Sequence, residues 1–462
     1  MSRIGQEFAL KVHLLFWTFD SVRPLCLDGS RATESCPNDL SPMSAPTHFN
    51  DHEVDHSAAI SVEALNTSNV TLSGVRRAGD VTEAVGRRNF LHAGPPIEIS
   101  DITGPMRGAL IGGLIFEGEA ADEQAAAAII DSGKLTISPC HHAGGVGAMA
   151  GIITPSMPVV VAKCCGRTTF SALNEGTGGA VRYGSFNAET LVRLHWITDV
   201  MAPALDAAIQ AAEPIDLVTL VAEGLRRGDD CHNRLAGTTA ALLCLLAPEL
   251  TRRVSREDAA ATMSVMAGNP HFALPFTISM GKALAMSAAN VPGSPVVTAM
   301  AANGREFGIR VSGTGDRWFT APSPIGTPLL MPGLTLDDVN PTMGDSMIAE
   351  TVGFGAFAMS AAPAIMSFVG GTASQGIEIV EEMRLITVAT SSRFLLPNED
   401  HRGTPLGIDV HRVASSGIAP VINNGLAHRE MGRGRAGAGV TRVPIECFIA
   451  ASEALATGVR CS

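Results

Sequence analysis

Seven consecutive residues, Gly228-Asp229-Asp230-Cys231-His232-Asn233-Arg234, set two carboxylates, a thiol, an imidazole, an amide and a guanidinium between two apolar stretches. Residues 215–227 and 235–250 read as helices on either side. Gly228 is the expected glycine past the end of the first, and Asp229 or Asp230 the expected N-cap of the second. Asp230 and Arg234 would then share one face of a first helical turn. Free N–H groups and the positive dipole end suit such a turn to phosphate or carboxylate. An arginine there opposes the dipole, so it calls for either an Asp230 partner or an anionic ligand. The plainer reading is a capped helix start with a surface ion pair.

A second polar island, 139–151 (PCHHAGGVGAMAG), places Cys140, His141 and His142 before a glycine-rich turn, between strand-like runs at 134–138 and 157–162. Adjacent histidines on a strand face opposite ways, but in a glycine loop both can reach one ligand. The amides of Gly145 and Gly147 can approach an anion, and either histidine can serve as general base, oxyanion donor or metal ligand. Further islands hold Asn174-Glu175, Asn303 through Arg310, Asp345 with Glu350, residues 402–409 and Asn423 through His428. Singly each reads as a turn or cap; together they suggest loops gathered around one polar pocket.

The elements that must carry these loops read as α/β or α+β, with mixed sheet regions and a helical middle. Residues 1–58 read as a poorly ordered extension, 59–186 as an N-terminal α/β region, 187–290 as mainly helical and 291–462 as a C-terminal α/β region. Helices are expected at 120–131, 188–212, 256–267, 272–289, 374–386 and 445–456, and strands at 296–301, 307–312 and 418–422. With only 17% charged residues and 48 glycines in 462, much surface must be buried, subunit interfaces included. A net charge of −12 without a basic stripe argues against nucleic acid. Nine cysteines without a Cys-x-x-Cys pair suit a reducing cytoplasm and show no zinc-finger spacing. The uncharged run 351–377 is interrupted by glycines, serines and Pro363, and is expected to be soluble core and not a membrane span. Gly432-x-Gly434-x-x-Gly437 fits a dinucleotide fingerprint by spacing alone, without a helix opening behind it, and is set aside.

Taken in order, LHAGPPIE (91–98), GPMRGALIGGLIFEG (104–118), SPCHHAGGVGAMAG (138–151), LNEGTG (173–178), GDDCHNR (228–234), NGREFGIRVSGTGDRWFTAPSP (303–324), GDSMIAET (344–351), HRGTPLGID (401–409) and AGAGVTRVPIECF (436–448) resemble the bacterial YlbE/YahG family, from about Leu91 to Ala456. The resemblance implies a subunit of oxamate carbamoyltransferase, an enzyme of allantoin and purine nitrogen catabolism that interconverts oxalurate plus phosphate with oxamate plus carbamoyl phosphate. It also implies an FdrA-like partner, a further small subunit and an oligomer. For that reaction His141, His142, Asp230, His232 and His428 are the candidate catalytic groups. Gly145, Gly147, Asn174, Glu175, Asn233, Arg234, Asn303, Arg310 and Asp345 are the candidate substrate- or phosphate-binding groups, Arg310 for a carboxylate. No cofactor and no metal is expected. The alternatives are a metal-assisted amidohydrolase using His141 or His142 with Asp230 and His232, a nucleophilic Cys140 or Cys231, and a non-catalytic scaffold subunit.

Overall fold

The computed structural model describes residues 55–457 apart from 174, 177, 178 and 370; the stretch read as an extension lies outside them up to residue 54. Within that stretch's expected bounds a helix already begins, His56–Thr67, where the Asp55 carboxylate accepts the Ser57 N–H at 3.0 Å. The described residues from Asp55 onward form one compact unit.

The architecture is α/β, built from several small sheets and a helical middle. Thr71–Arg77, Pro158–Cys164, Arg167–Ala172 and the two-residue strand Gly145–Val146 form a mixed sheet, the last pair parallel. Met343–Gly344, Val297–Asn303, Glu306–Val311 and Phe319–Pro322 form an antiparallel one. Thr327–Leu330, Arg435–Arg442 and Val421–Ala427 make a third. Gly432 and Gly434, both at positive φ, fall in the hairpin turn between its last two strands, so the apparent dinucleotide fingerprint is turn chemistry. Asn89–His92 pairs in parallel with Thr136–Pro139 and delivers both chain segments to the same end of the molecule.

The helices follow the apolar pattern with shifted ends. Residues 120–131 are helical only from Glu123, because Asp122 caps it by accepting the Ala125 N–H at 2.8 Å. The expected 188–212 helix is continuous but widens into a π-helical segment at Ile197–Met201. Ala236–Arg253 runs on through Pro248. The expected strand at 418–422 lies instead at Val421–Ala427. Residues 351–377 fold into short helical pieces that bury Phe354 and Phe357, and among the described residues no helix is long and apolar enough to cross a membrane.

Leu274–Ser287 is the helix that matters most for the site. Every residue from Leu274 to Ala285 is buried, and the helix lies across Pro158–Cys164 and Arg167–Ala172. Its one charged residue, Lys282, is carried into the interior with it. Gly94 permits the other close approach. At φ 91° an added Cβ would stand 2.5 Å from the Ala302 carbonyl carbon, and the Gly94 N–H donates to Asp345 Oδ1 at 2.7 Å. We expect Gly94→Ala to cost about 2–5 kcal/mol, from backbone strain plus overpacking, read as a lowered thermal midpoint. An unchanged midpoint would contradict the contact.

Candidate active site

Strand Thr136–Pro139 ends in one tight turn, Cys140–Ala143, closed by Gly144 at φ 79°. The turn sends its two histidines different ways. His141 is buried beneath the turn, and His142 is exposed at its rim. Both, with Lys282 and with Arg310 from strand Glu306–Val311, line a cavity of about 400 Å³. Trp318 packs against three of these residues. Its indole N–H donates to His142 Nε2 at 2.9 Å, its ring meets His141 edge-on at 5.5 Å, and the Arg310 guanidinium lies 5.9 Å from its centroid. An Nε2 that accepts leaves the His142 proton on Nδ1, available to an anion. Burial, then the charges of Arg310 and Lys282, lowers the His142 pKa and favours that neutral form. Arg310 pairs through Nη2 with Asp316, an almost fully exposed carboxylate, while its buried Nε has no hydrogen-bond partner. The wall of the cavity therefore offers a guanidinium donor, an imidazole donor and an ammonium.

Behind that wall runs a buried chain of titratable groups. Lys282 Nζ lies 3.1 Å from His141 Nδ1, and His141 Nε2 lies 3.5 Å from Asp345 Oδ1. Asp345 accepts the N–H of Gly94 at 2.7 Å and that of Gly147 at 2.9 Å. Burial pushes Asp345 up to about 7, against those two N–H bonds and the Lys282 charge. Burial, helped by Arg310, pulls Lys282 down to about 7. His141 is held well below its usual range by burial and by the Lys282 and Arg310 charges, so it stands neutral, accepting at Nδ1. The glycine loop does cradle an anion, but that anion is the protein's own Asp345. The Gly147 amide is spent on it, and Gly145 instead sits flat against Phe170, where a Cβ would come within 2.6 Å of the ring.

The 228–234 island forms a separate cluster and is not a first helical turn. Helix Leu217–Arg226 ends before Gly228, at φ 89°, as expected. Cys231 then takes φ 62°, which breaks any helix there, and the next helix starts only at Ala236. Asp230 Oδ1 accepts the N–H groups of His232, Asn233 and Arg234 at 3.0, 2.9 and 2.7 Å. Asp229 caps the helix from a distance, accepting from Gly237 N and Thr238 N at 2.9 and 2.7 Å. The expected Asp230–Arg234 side-chain pair is absent: Arg234 Nε donates to the Gly228 carbonyl at 3.0 Å and lies 3.9 Å from Asp229. His232 Nδ1 meets Glu350 Oε1 at 2.9 Å. Burial opposes the charge on His232, yet Glu350 and Asp230 outweigh it and raise its pKa. Asn423 donates to Asp230 Oδ2 and accepts from the partly buried Asn233, closing the network.

The polar islands thus divide between two clusters joined by one segment, which supplies Asp345 to the first and Glu350 to the second. Glu175 sits in neither. It accepts the Val181 and Arg182 N–H groups at 2.8 and 3.3 Å, and burial raises its pKa. Asn174 lies outside the described residues. Asn303 holds a turn, accepting from Arg305 N and Glu306 N and donating to the Pro95 carbonyl. His428 is elsewhere, its Nδ1 accepting the Glu430 N–H at 3.0 Å and its Nε2 3.8 Å from Asp338. Cys140 and Cys231 are fully buried, burial drives both thiols well above their ordinary range, and neither suits a nucleophile. Among the described residues no three His, Cys, Asp or Glu side chains are grouped to hold a metal, so the set of His141 or His142 with Asp230 and His232 is not assembled. Three groups went unassigned in the sequence: Lys282, Trp318 and Glu350. Lys282 had a signal, a lone lysine inside the apolar run LPFTISMGKALAMS.

Fold and site define an α/β protein with a cationic cavity of small-molecule size, backed by a buried Lys–His–Asp chain. The chain belongs to the family of oxamate carbamoyltransferase subunit AllG, whose sequence model matches residues 135–346. It is 41% identical over 383 residues to the Escherichia coli (strain K12) protein of that name, covering 81% of this chain and 91% of the relative. The uncharacterized protein YahG of the same strain is 38% identical over 390 residues, covering 84% and 83%. The crystal structure of a conserved protein of unknown function from Enterococcus faecalis V583 superposes with a TM-score of 0.85 at 37% identity, over 88% of this chain and 98% of that one.

Proposed function

We propose that this chain is a subunit of oxamate carbamoyltransferase and that carbamoyl transfer takes place in the His142–Lys282–Arg310 cavity. The observation that carries this reading is the gathering of Arg310, His142 and Lys282 around one cavity. Both substrate pairs, oxalurate with phosphate and oxamate with carbamoyl phosphate, consist of small anions. An arginine fork suits their carboxylate or phosphate oxygens, and displacing the exposed Asp316 frees its second edge.

In the direction of oxalurate breakdown, a phosphate oxygen attacks the ureido carbonyl carbon. The tetrahedral oxyanion needs donors, which the His142 imidazole and the Arg310 guanidinium supply, and the C–N bond then breaks to release oxamate and leave carbamoyl phosphate. The buried 230–234 network supports this from outside the cavity by fixing the segment that also carries Asp345. An FdrA-like subunit and a further small subunit complete the enzyme in this reading, in an oligomer that serves allantoin breakdown in the cytoplasm.

The test is reconstitution. Mixed with its partner subunits, oxalurate and phosphate, the protein should yield oxamate and carbamoyl phosphate, and Arg310→Met in this chain alone should abolish that. Full activity of the complex carrying Arg310→Met would move the chemistry to a partner and make this chain the scaffold.

A further inference from the structure

Lys134 and Lys163 are exposed, but Lys282 is buried. It is one of four lysines in a chain that otherwise uses arginine for positive charge, and it is the only charged residue of helix Leu274–Ser287. Burying a lone lysine costs several kcal/mol unless its surroundings answer for it. Three elements face it. The Cys140–Ala143 turn gives it His141 Nδ1 at 3.1 Å and the His141 carbonyl at 3.4 Å. The segment after Met343–Gly344 brings Asp345, which lies 3.5 Å from His141 Nε2 and accepts the Gly147 N–H from the loop beyond the turn. Strand Glu306–Val311 brings Arg310, a like charge, from across the cavity. Cys140 faces it as an un-ionised thiol.

A like charge beside a buried amine is a poor way to hold a permanent cation and a good way to make one give up its proton. Arg310 stays charged and keeps the anion. Lys282 lines the cavity and its amine meets His141, which places it to exchange a proton with whatever the anion carries.

We propose that Lys282 is the proton-transfer residue of the carbamoyl transfer, and that His141 and Asp345 are positioning residues which hold its amine. The proposal rests on the carbamoyltransferase reading above. In oxalurate breakdown the ammonium of Lys282 gives its proton to the nitrogen as the C–N bond breaks, so that oxamate departs as a neutral amide and the amine is left neutral, while the proton of the attacking hydrogen phosphate passes to water once the oxygen is acylated. In the opposite direction the neutral amine takes that proton while the oxamate nitrogen forms the new bond to the carbonyl carbon. The C–O bond to phosphate then breaks, and phosphate leaves with the electron pair and takes a proton from water. Apart from that exchange with water, neither direction needs a further reactant.

The sign of the pH dependence follows. Lys282 titrates near 7, far below an ordinary lysine, because of burial and Arg310. Oxalurate phosphorolysis needs the protonated form, present below that pH, so its kcat should fall as pH rises through and above 7. Oxamate carbamoylation needs the neutral form, so its kcat should rise over the same window. One group serving both directions gives mirror-image limbs.

The experiment uses the reconstituted complex with Lys282→Met. The variant should lose about 100- to 10,000-fold in kcat in both directions and both pH limbs, while oxamate binds within about fivefold of the parent because Arg310 remains. Methylamine should restore part of the Lys282→Ala rate. A kcat near the parent's, or a fall in affinity as large as the fall in kcat, would overturn the proposal; the second result would make Lys282 an anion holder. An inactive parent complex would instead fail the carbamoyltransferase reading. A second measurement does not depend on activity: carbamoylation by cyanate, quantified at Lys282 relative to the exposed Lys134. Lys282 labelling should reach its half-maximum near pH 7, and a midpoint above 9 would overturn the proposal.

Discussion

Arg310→Met should weaken oxamate binding about 100-fold while leaving the fold intact. A methionine keeps the length and apolar stem that pack beside Trp318 but removes the planar donor fork, and a charge-assisted bidentate contact is worth about 2–3 kcal/mol in a partly buried site. Arg310→Lys should recover little, because a point charge cannot reproduce the fork. The ion pair with Asp316 supplies an internal control. Asp316 is almost fully exposed, so Asp316→Asn should tighten oxamate modestly by removing a competing anion. Isothermal titration on the three variants checks this. Equal affinity across them would remove Arg310 from the binding site.

The largest effect on stability should come from Asp230→Ala. Its carboxylate accepts three backbone N–H groups and the Asn423 amide, all within a buried turn. Removing the acceptor strands those donors, and breaking a buried charged network of this kind costs about 3–5 kcal/mol. Arg234→Ala should cost less than about 1 kcal/mol, since its side chain is 39% exposed and holds one carbonyl. Thermal unfolding of the two proteins settles which residue holds the turn. A larger loss from Arg234→Ala would mean that the guanidinium, and not the carboxylate, organises it.

These contrasts mark where the sequence was legible. The α/β class, the helical middle and the buried 351–377 stretch followed from apolar periodicity and composition, which are local. The adjacency of His141 and His142 at one cavity was also readable, because a glycine-rich turn after a short strand leaves both rings free to reach it. Arg310 was readable as a cation on an alternating strand. The 230–234 turn was misread because nothing local announces that Cys231 adopts φ 62° and ends the helical option. The Gly147 amide was assigned to a ligand because its true acceptor, Asp345, lies 198 positions away. Lys282 was missed, and Glu350 was noted in a polar island but given no role, for the same reason: a side chain becomes functional or structural through partners that only the fold supplies. Glu350 meets His232 across 118 positions, and Lys282 meets His141 across 141.

The central claim is that the cavity between the Cys140–Ala143 turn and helix Leu274–Ser287 is where the anionic substrates meet. The most direct measurement is a crystal structure of the protein with oxamate and phosphate. The account predicts oxamate or phosphate within hydrogen-bonding distance of Arg310 and the His142 Nδ1, with Asp316 displaced. Ordered ligand at the 230–234 turn instead, with the cavity empty, would contradict it.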